Sequence, residues 1–250
     1  MNDQKITLAS VPYLNAKPLT FGLAEAGVNI IEAIPSELLE IFQSGNVDGA
    51  LLSAYDVLQM PDPEIVDNIA IGCCGEVYSV ILAYEGEVKN IQQVALDPCS
   101  HTGNNLLKII LTEFYGLQPE FLMHEKIGDA SLPRLIIGDP AIVFRKQASC
   151  SVLDLGAEWY RFTGLPFVFA LWCLKNRESK KEVSGRLQMA KEQGLCARQE
   201  IALTQPDPLF ALEYLTEHIR YDLGKKEIAG LELFKSLAKC TRSKGAMAST

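Results

Sequence analysis

The regular alternation of short apolar runs with amphipathic stretches constrains the fold of this chain more than any other feature. Residues 5–11, 28–34 and 47–53 form three such runs. Between the second and the third, residues 36–44 place apolar side chains at helical spacing and end at Gly45, a typical helix stop. Short apolar strands separated by helices are typical of an α/β fold with a largely parallel sheet. The sequence therefore opens with a predicted βαβαβ unit.

The same pattern starts again after a break at residues 85–87, which predicts a second α/β lobe. We expect the chain to cross near residue 85 and to return near residue 170 in the apolar run 167–174. The expected first lobe is then 1–85 plus 171–250, and the second lobe is 86–170. The other predicted elements are the strands 94–97, 135–139 and 141–144, and the helices 103–115, 177–194, 208–223 and 225–240.

Two lobes connected in this way predict a clamshell with a ligand cleft between the lobes. Ligands in open α/β sheets bind outside the carboxyl ends of the strands, where helix N-termini offer N–H groups. Polar loops follow the predicted strands at these ends, with the sequences VPYLNAKP, DPCSHTG and IGDP. A small carboxylate is favoured over a phosphate as the ligand, since the chain has no Gly-rich phosphate loop.

Composition excludes several other classes of protein. The 250 residues are 48% hydrophobic and 22% charged, which is enough to bury a full core and excludes a disordered chain. The net charge of −8 argues against a nucleic-acid partner. No apolar run reaches the length of a membrane span, and the N-terminus lacks the pattern of a signal peptide. The seven cysteines are scattered without metal-binding spacing. We therefore expect a cytoplasmic protein with reduced thiols, no metal and no cofactor.

Five segments carry a family resemblance. They are SVPYLNAKPLTFGL (10–23), GEVYSVIL (75–82), DPCSHT (97–102), IGDPA (137–141) and DLGAEWYRFTGLPFVFALW (154–172). Together they resemble the chorismate dehydratase family, which acts first in the futalosine route to menaquinone. The resemblance implies a cytoplasmic chain with a two-lobed, periplasmic-binding-protein-like (type II) fold. It also implies conversion of chorismate, a small-molecule partner, to 3-[(1-carboxyvinyl)oxy]benzoate and water. The sequence leaves open whether the chain is a monomer or a homodimer.

The first two motifs imply substrate contacts from the first lobe and from the crossing strand. Tyr13, Asn15 and Lys17 would line the first-lobe side of the cleft, with Asn15 as a catalytic candidate. Ser79 would lie on a strand that crosses between the lobes. Asn15 could also be an ordinary turn or cap residue, and Lys17 could simply be solvated.

The next two motifs imply contacts from the second lobe. Ser100 and Thr102 would hold a ligand carboxylate at a helix start, although both residue types also cap helices. Gly103 stands where the family usually has a second serine, and it still offers its backbone N–H. Asp139 is the second catalytic candidate, or a turn former before Pro140.

The implied reaction needs a base, and the sequence offers two answers. The motif residues are mostly hydrogen-bond donors, and the amide of Asn15 does not take up a proton at neutral pH. One hypothesis makes the side-chain carboxylate of the substrate the base, while the protein supplies conformation and charge stabilisation. The rival hypothesis makes Asp139 or His101 the base.

Two other functions remain open at this point. One is 1,4-dihydroxy-6-naphthoate synthase of the same pathway, whose reaction depends on a histidine; here His101, His124 and His218 lie in no matching motif. The other is a non-catalytic protein that binds small carboxylates. Turnover of chorismate separates the expected enzyme from both.

Overall fold

Two α/β units make up the chain in the computed structural model, which describes residues 5–123, 132–175 and 180–247, with side chains to 241. One unit comprises Met1–Gly72 and Val168–Gly224, and the other comprises Cys73–Phe167 and Lys225–Thr250. Each unit is built on one five-stranded sheet. The predicted α/β architecture with two sheets is confirmed.

The chain forms ten strands and ten α-helices within the described residues. The strands are β1 Thr7–Ser10, β2 Asn29–Glu32, β3 Gly49–Ser53, β4 Glu64–Cys73, β5 Val80–Tyr84, β6 Gln93–Leu96, β7 Glu120–Met123, β8 Arg134–Ile137, β9 Ser151–Asp154 and β10 Phe167–Leu174. The helices are α1 Lys17–Thr20, α2 Pro35–Ser44, α3 Ala54–Gln59, α4 His101–Ile109, α5 Gly138–Gln147, α6 Leu155–Thr163, α7 Lys180–Cys196, α8 Arg198–Leu203, α9 Pro208–Glu213 and α10 Lys225–Met247. Turns of 3-10 helix (Leu14–Ala16, Val88–Asn90) and π-helix (Ile110–Phe114, Tyr214–His218) complete the set.

The first sheet has the strand order β2-β1-β3-β10-β4. Strand β1 is parallel to both of its neighbours, while β10 returns antiparallel to β3. The centres of β1 and β3 are fully apolar and buried, as expected for strands covered on both faces. Since β2 and β3 lie on opposite sides of β1, the strand order reverses at β1. The carboxyl end of β1 is therefore the topological switch point where open α/β sheets bind ligands.

The second sheet repeats this plan with the order β7-β6-β8-β5-β9. Strand β6 is parallel to β7 and to β8, so that its carboxyl end is the switch point of this sheet. Strand β5 runs antiparallel to β8 and β9, and its amino end therefore lies at the same edge. Three helices, α4, α5 and α6, begin at this edge.

The boundaries of the two units differ from those expected from sequence. Strand β5 pairs with β8 and β9, so the first crossing falls after Gly72 rather than near residue 85. Helix α10 packs on α4, and its Phe234 ring lies 5.0 Å from the ring of Phe167 and 6.3 Å from that of Trp159. The last helix therefore belongs to the second unit, not to the first. The return crossing, between Phe167 and Val168, lies close to the expected position.

Several local predictions also differ from the structure. The predicted strand 141–144 instead lies in α5, which begins at Gly138, with φ +67°, and has Pro140 in its first turn, where proline is tolerated. Helix α2 begins at Pro35, one residue before the predicted start at residue 36, and Ile34 is its N-cap. The predicted helix 208–223 ends early, since Arg220 pairs with Gly72 in a β-bridge. Of the predicted helix 177–194, residues 177–179 lie outside the described residues. The strand 167–174 is confirmed over its full length.

A search of the helices in the described ranges finds none with the length and apolarity needed to cross a bilayer.

Candidate active site

The VPYLNAKP motif lies directly at the switch point of the first sheet. Strand β1 ends at Ser10, and Tyr13 then precedes a 3-10 turn that leads into α1 at Lys17. Leu14 and Ala16 are buried on either side of Asn15 and fix the turn in place. The fold therefore brings Tyr13, Asn15 and Lys17 together on one short segment at the ligand-binding edge of the sheet.

Asn15 carries an unusual polar atom. Its side-chain Oδ1 is buried and has no hydrogen-bond partner among the described residues. Leaving a buried acceptor unpaired costs about 1–3 kcal/mol, so such groups are uncommon in native proteins and need an explanation. A bound substrate that donates a hydrogen bond would satisfy this oxygen. The observation therefore favours the substrate-contacting role of Asn15 over the role of a turn or cap residue.

The DPCSHTG motif lies at the switch point of the second sheet, between β6 and α4. The side chain of Asn104 fixes this loop: its Oδ1 accepts the N–H of Asp97 at 3.0 Å, and its Nδ2 donates to the Asp97 carbonyl at 2.7 Å. Ser100 is the N-cap of α4, and its Oγ accepts the N–H of Gly103 at 3.1 Å. Ser100 and Thr102 are both buried. This cap uses the Ser100 oxygen as acceptor and not its proton, so that the hydroxyl can still donate to a ligand.

Gly103 packs too closely to carry a side chain in this conformation. A Cβ atom at Gly103 would lie 2.5 Å from Ser100 Oγ and 3.2 Å from Leu135 Cδ2. A side chain here would displace the Ser100 hydroxyl from its capping position or push the helix away from β8. The glycine thus belongs to a local arrangement in which Ser100 caps α4 tightly.

We expect Gly103→Ala to lower both stability and substrate affinity. Loss of the Ser100 cap costs about 1 kcal/mol, which lowers Tm by about 2–4 °C, and a displaced Ser100 hydroxyl should bind a substrate less tightly. Gly185→Ala is the matched control, because Gly185 lies within α7 and has no atom within 4 Å of its Cβ position. That control should raise Tm slightly, since alanine is the better helix former. A Gly103→Ala variant that matched the control would contradict this account of the cap.

Ser79 and Asp139 meet at the same edge of the second sheet. The Gly138 N–H donates to the Ser79 carbonyl at 2.8 Å, and Val80 of β5 pairs with Ile137 of β8. Asp139 lies in the first turn of α5. The side chain of Ile137 also lies 3.5 Å from the Cβ position of Gly103, which places the start of α4 beside the end of β8.

The predicted site residues therefore form two groups. Tyr13, Asn15 and Lys17 lie at the edge of the first sheet. The others lie at the edge of the second sheet: Ser79, Ser100, Thr102, Gly103 and Asp139.

Asp154 is a site-supporting residue that the sequence reasoning did not single out. It ends β9 and caps α6, and its carboxylate accepts the N–H groups of Val77 at 3.0 Å, Tyr78 at 2.7 Å and Ala157 at 2.9 Å. Arg145 Nη1 donates to the same carboxylate at 3.1 Å. Burial raises the pKa of Asp154, and the three N–H donors and the Arg145 charge oppose that rise. One buried carboxylate thus holds the two peptide groups that lead to Ser79.

Contacts of Arg145 with Tyr78 also help to hold the backbone that precedes Ser79. The Arg145 guanidinium lies 4.2 Å from the centroid of the Tyr78 ring and also pairs with Glu76. Tyr78 has φ +67°, a left-handed backbone conformation that is uncommon for a residue with a large side chain. The backbone before Ser79 is therefore kept in an unfavourable conformation by Asp154 and Arg145. Asp154 opens the fifth motif of the resemblance, DLGAEWYRFTGLPFVFALW, but nothing local linked it to Ser79.

Asp97 is a second carboxyl group that the sequence reasoning passed over as a base. It follows β6 directly, and its Oδ1 accepts the Cys99 N–H at 2.8 Å. Burial raises the pKa of Asp97, and the hydrogen bonds from Cys99 oppose the rise.

His101, the histidine that the sequence offers as a base, is the first residue of α4. His124 lies outside the described residues. Within the described ranges, no three His, Cys, Asp or Glu side chains are grouped so as to hold a metal ion.

Comparison with known proteins identifies the family. A family profile described as "Menaquinone biosynthesis" matches residues 6–240. A chorismate dehydratase of Thermus thermophilus is 30% identical over 247 residues, covering 89% of this chain and 91% of that protein. A chorismate dehydratase of Campylobacter jejuni is 25% identical over 230 residues, covering 91% of each.

Solved structures agree on the fold. A protein of Archaeoglobus fulgidus superposes with a TM-score of 0.75 at 16% identity, covering 98% of this chain and 100% of that one. The periplasmic aliphatic sulphonate binding protein of Escherichia coli superposes with a TM-score of 0.60 at 13% identity, covering 95% and 92%. These likenesses confirm the predicted periplasmic-binding-protein-like fold. By the profile match over residues 6–240, the chain belongs to the menaquinone biosynthesis family.

Proposed function

We propose that this chain is a chorismate dehydratase, a hydro-lyase that converts chorismate to 3-[(1-carboxyvinyl)oxy]benzoate and water. The observation that carries the proposal is the similarity to two curated chorismate dehydratases over about nine tenths of each chain. The positions of the VPYLNAKP and DPCSHTG motifs, at the switch points of the two sheets, support it. The chorismate dehydratase names of these relatives favour this reaction over the naphthoate synthase and over a binding protein without activity.

The reaction is an elimination driven by aromatisation. The ring carbon that bears the enolpyruvyl ether loses its proton, a double bond forms to the neighbouring carbon, and the hydroxyl on that carbon leaves. The proton and the departing hydroxide together account for the water. The protein must therefore orient two carboxylates, assist the leaving oxygen and place a base near one C–H bond.

The side chains at the two sheet edges suit this task as donors. The Ser100 hydroxyl and the first N–H groups of α4 offer a binding place for one carboxylate, since helix N-termini favour anions. Lys17 supplies a positive charge at the other edge, and the Asn15 amide can orient a hydroxyl or a carboxylate. We propose that both edges contribute to substrate binding. Because these groups are donors rather than bases, we propose that the enolpyruvyl carboxylate of the substrate acts as the base.

A test of the base uses three substitutions. We expect Asp139→Asn, Asp97→Asn and His101→Ala each to retain measurable kcat, with their losses mainly in KM. The asparagine variants keep the shape of the side chain and an acceptor oxygen but remove its basicity. A protein base, once removed, would instead lower kcat by about 10⁴-fold with KM unchanged. Steady-state kinetics of the three variants therefore separate the hypotheses, and such a loss in any one of them would identify the base.

We expect activity without a metal or an organic cofactor. The chemistry requires only proton transfer and loss of hydroxide, and the sequence has no P-loop or GxGxxG motif. Extensive dialysis against EDTA should leave kcat/KM unchanged. Activity that disappeared on dialysis and returned with a divalent ion would contradict this expectation.

Turnover of chorismate tests the proposal directly. Purified protein should abolish the diene absorbance of chorismate and yield the aromatic product, identified by its mass. Binding of chorismate without conversion would instead indicate a carboxylate-binding protein.

We further propose that the enzyme acts in the cytoplasm as a monomer or a homodimer. All seven cysteines are free thiols in the structure, which suits a reducing compartment.

A further inference from the structure

Ser10 occupies a special place at the switch point of the first sheet. It is the last residue of β1, the strand at which the order of the sheet reverses. Its backbone is held on one side by the β2 pairing, and its carbonyl accepts the Ala33 N–H at 3.0 Å. The residue is only 1% exposed. Ser10 is therefore fixed rigidly where a ligand is expected to bind.

The side chain of Ser10 lacks what a buried hydroxyl normally has. Its Oγ is buried and makes no hydrogen bond to any described residue. Buried polar groups are nearly always paired, and an alanine here would avoid the loss of stability that an unpaired hydroxyl causes. The second unpaired atom of this segment, Asn15 Oδ1, follows five residues later on the same loop. An unpaired hydroxyl at the end of β1 and an unpaired amide oxygen in the turn that follows therefore both lie at the ligand-binding edge of this sheet.

We infer that the Ser10 hydroxyl donates a hydrogen bond to an oxygen of the bound substrate. The inference rests on the proposed function, in which that oxygen belongs to a carboxylate or hydroxyl of chorismate. Strand pairing holds the backbone of Ser10 in place in the free protein, and donors positioned in advance in this way are the most effective. Ser10 is thus a substrate-binding residue at the switch point of the first sheet.

Ser10→Ala should give different results depending on whether the Ser10 hydroxyl binds substrate or has only a structural role. If the hydroxyl has no ligand, Ser10→Ala removes an unpaired buried group, so that Tm rises and activity stays the same. If the hydroxyl binds substrate, Ser10→Ala again keeps or raises the Tm of the free protein, but it weakens binding and catalysis. Ser184 provides the matched control, because its Oγ is also buried and unpaired among the described residues, but it lies on α7.

The experiment compares Ser10→Ala, Ser10→Cys and Ser184→Ala with the wild type in two measurements. These are kcat/KM for chorismate and the rise in Tm caused by added 3-[(1-carboxyvinyl)oxy]benzoate. We expect Ser10→Ala to lose at least about tenfold in kcat/KM and to show a smaller product-induced rise. Ser10→Cys, a weak donor, should lose activity as well, while Ser184→Ala should match the wild type in both.

Two results would overturn the inference in different ways. A Ser10→Ala variant with wild-type kcat/KM and a wild-type product-induced rise would show that Ser10 does not touch substrate, while leaving the proposed function intact. A wild-type protein that neither converts chorismate nor responds to the product would refute the proposed function itself, and with it this inference.

Discussion

Asn15→Ala should lower kcat/KM for chorismate by at least ~10²-fold, the loss seen when a preorganised polar group at a reacting centre is removed. The physical reason is that Asn15 carries a buried, unpaired oxygen between two buried apolar neighbours at the switch point of the first sheet. That oxygen makes no hydrogen bond to any described residue, so truncating the side chain breaks none. The Tm of the variant should therefore stay close to that of the wild type.

Steady-state kinetics and thermal unfolding of the same preparation check this prediction. Asn29→Ala serves as the control, because Asn29 is an exposed residue of β2 and lies outside the proposed site. The control should match the wild type in both measurements. Wild-type turnover by Asn15→Ala would remove Asn15 from the mechanism.

Asp154→Ala should have the largest effect on stability. The substitution leaves three N–H groups and the Arg145 guanidinium without their shared carboxylate, and each buried donor left unpaired costs about 1–3 kcal/mol. Because this carboxylate also holds the backbone before Ser79, catalysis should suffer too. Asp154→Asn keeps one acceptor oxygen, so that it should unfold at a higher temperature than the alanine variant and still show a raised KM.

Glu76→Gln is the control for this prediction. Glu76 pairs with the same arginine, but its side chain is 41% exposed, and exposed ion pairs contribute little. Its Tm and kinetics should therefore stay near the wild-type values. If Asp154→Ala behaved like Glu76→Gln in thermal unfolding and in kinetics, Asp154 would not support Ser79.

The positions of individual strands and helices could be predicted from the sequence, whereas the elements that they pair with or pack against could not. The strand 167–174 and the stop of α2 at Gly45 follow from apolar runs and from glycine at helix ends. In contrast, the apolar pattern of β5 does not say which sheet it joins, since hydrogen bonds to β8 and β9 decide that. The assignment of α10 likewise depends on its packing against α4 and on the ring of Phe234 beside those of Trp159 and Phe167. A short apolar run such as 141–144 fits a helix as well as a strand, and flanking residues decided in favour of a helix.

The candidate site shows the same division. The family resemblance identified the motif residues in the sequence, and the structure shows that the loops carrying them lie at two sheet edges. The role of Asp154 could not be read locally, because its bonds to Val77 and Tyr78 join positions 77 and 76 residues apart. The packing that excludes a side chain at Gly103 depends on Leu135, which is distant in sequence. The unpaired atoms of Ser10 and Asn15 are visible only once the neighbours of each are known.

A crystal structure of the protein with 3-[(1-carboxyvinyl)oxy]benzoate bound tests the central claim most directly. We predict one carboxylate of the product within hydrogen-bond distance, about 2.7–3.2 Å, of Ser100 Oγ or the first N–H groups of α4. We also predict that the Asn15 side chain contacts the same molecule. Product bound at another place in the fold, with no contact to Asn15 or to the start of α4, would contradict the account.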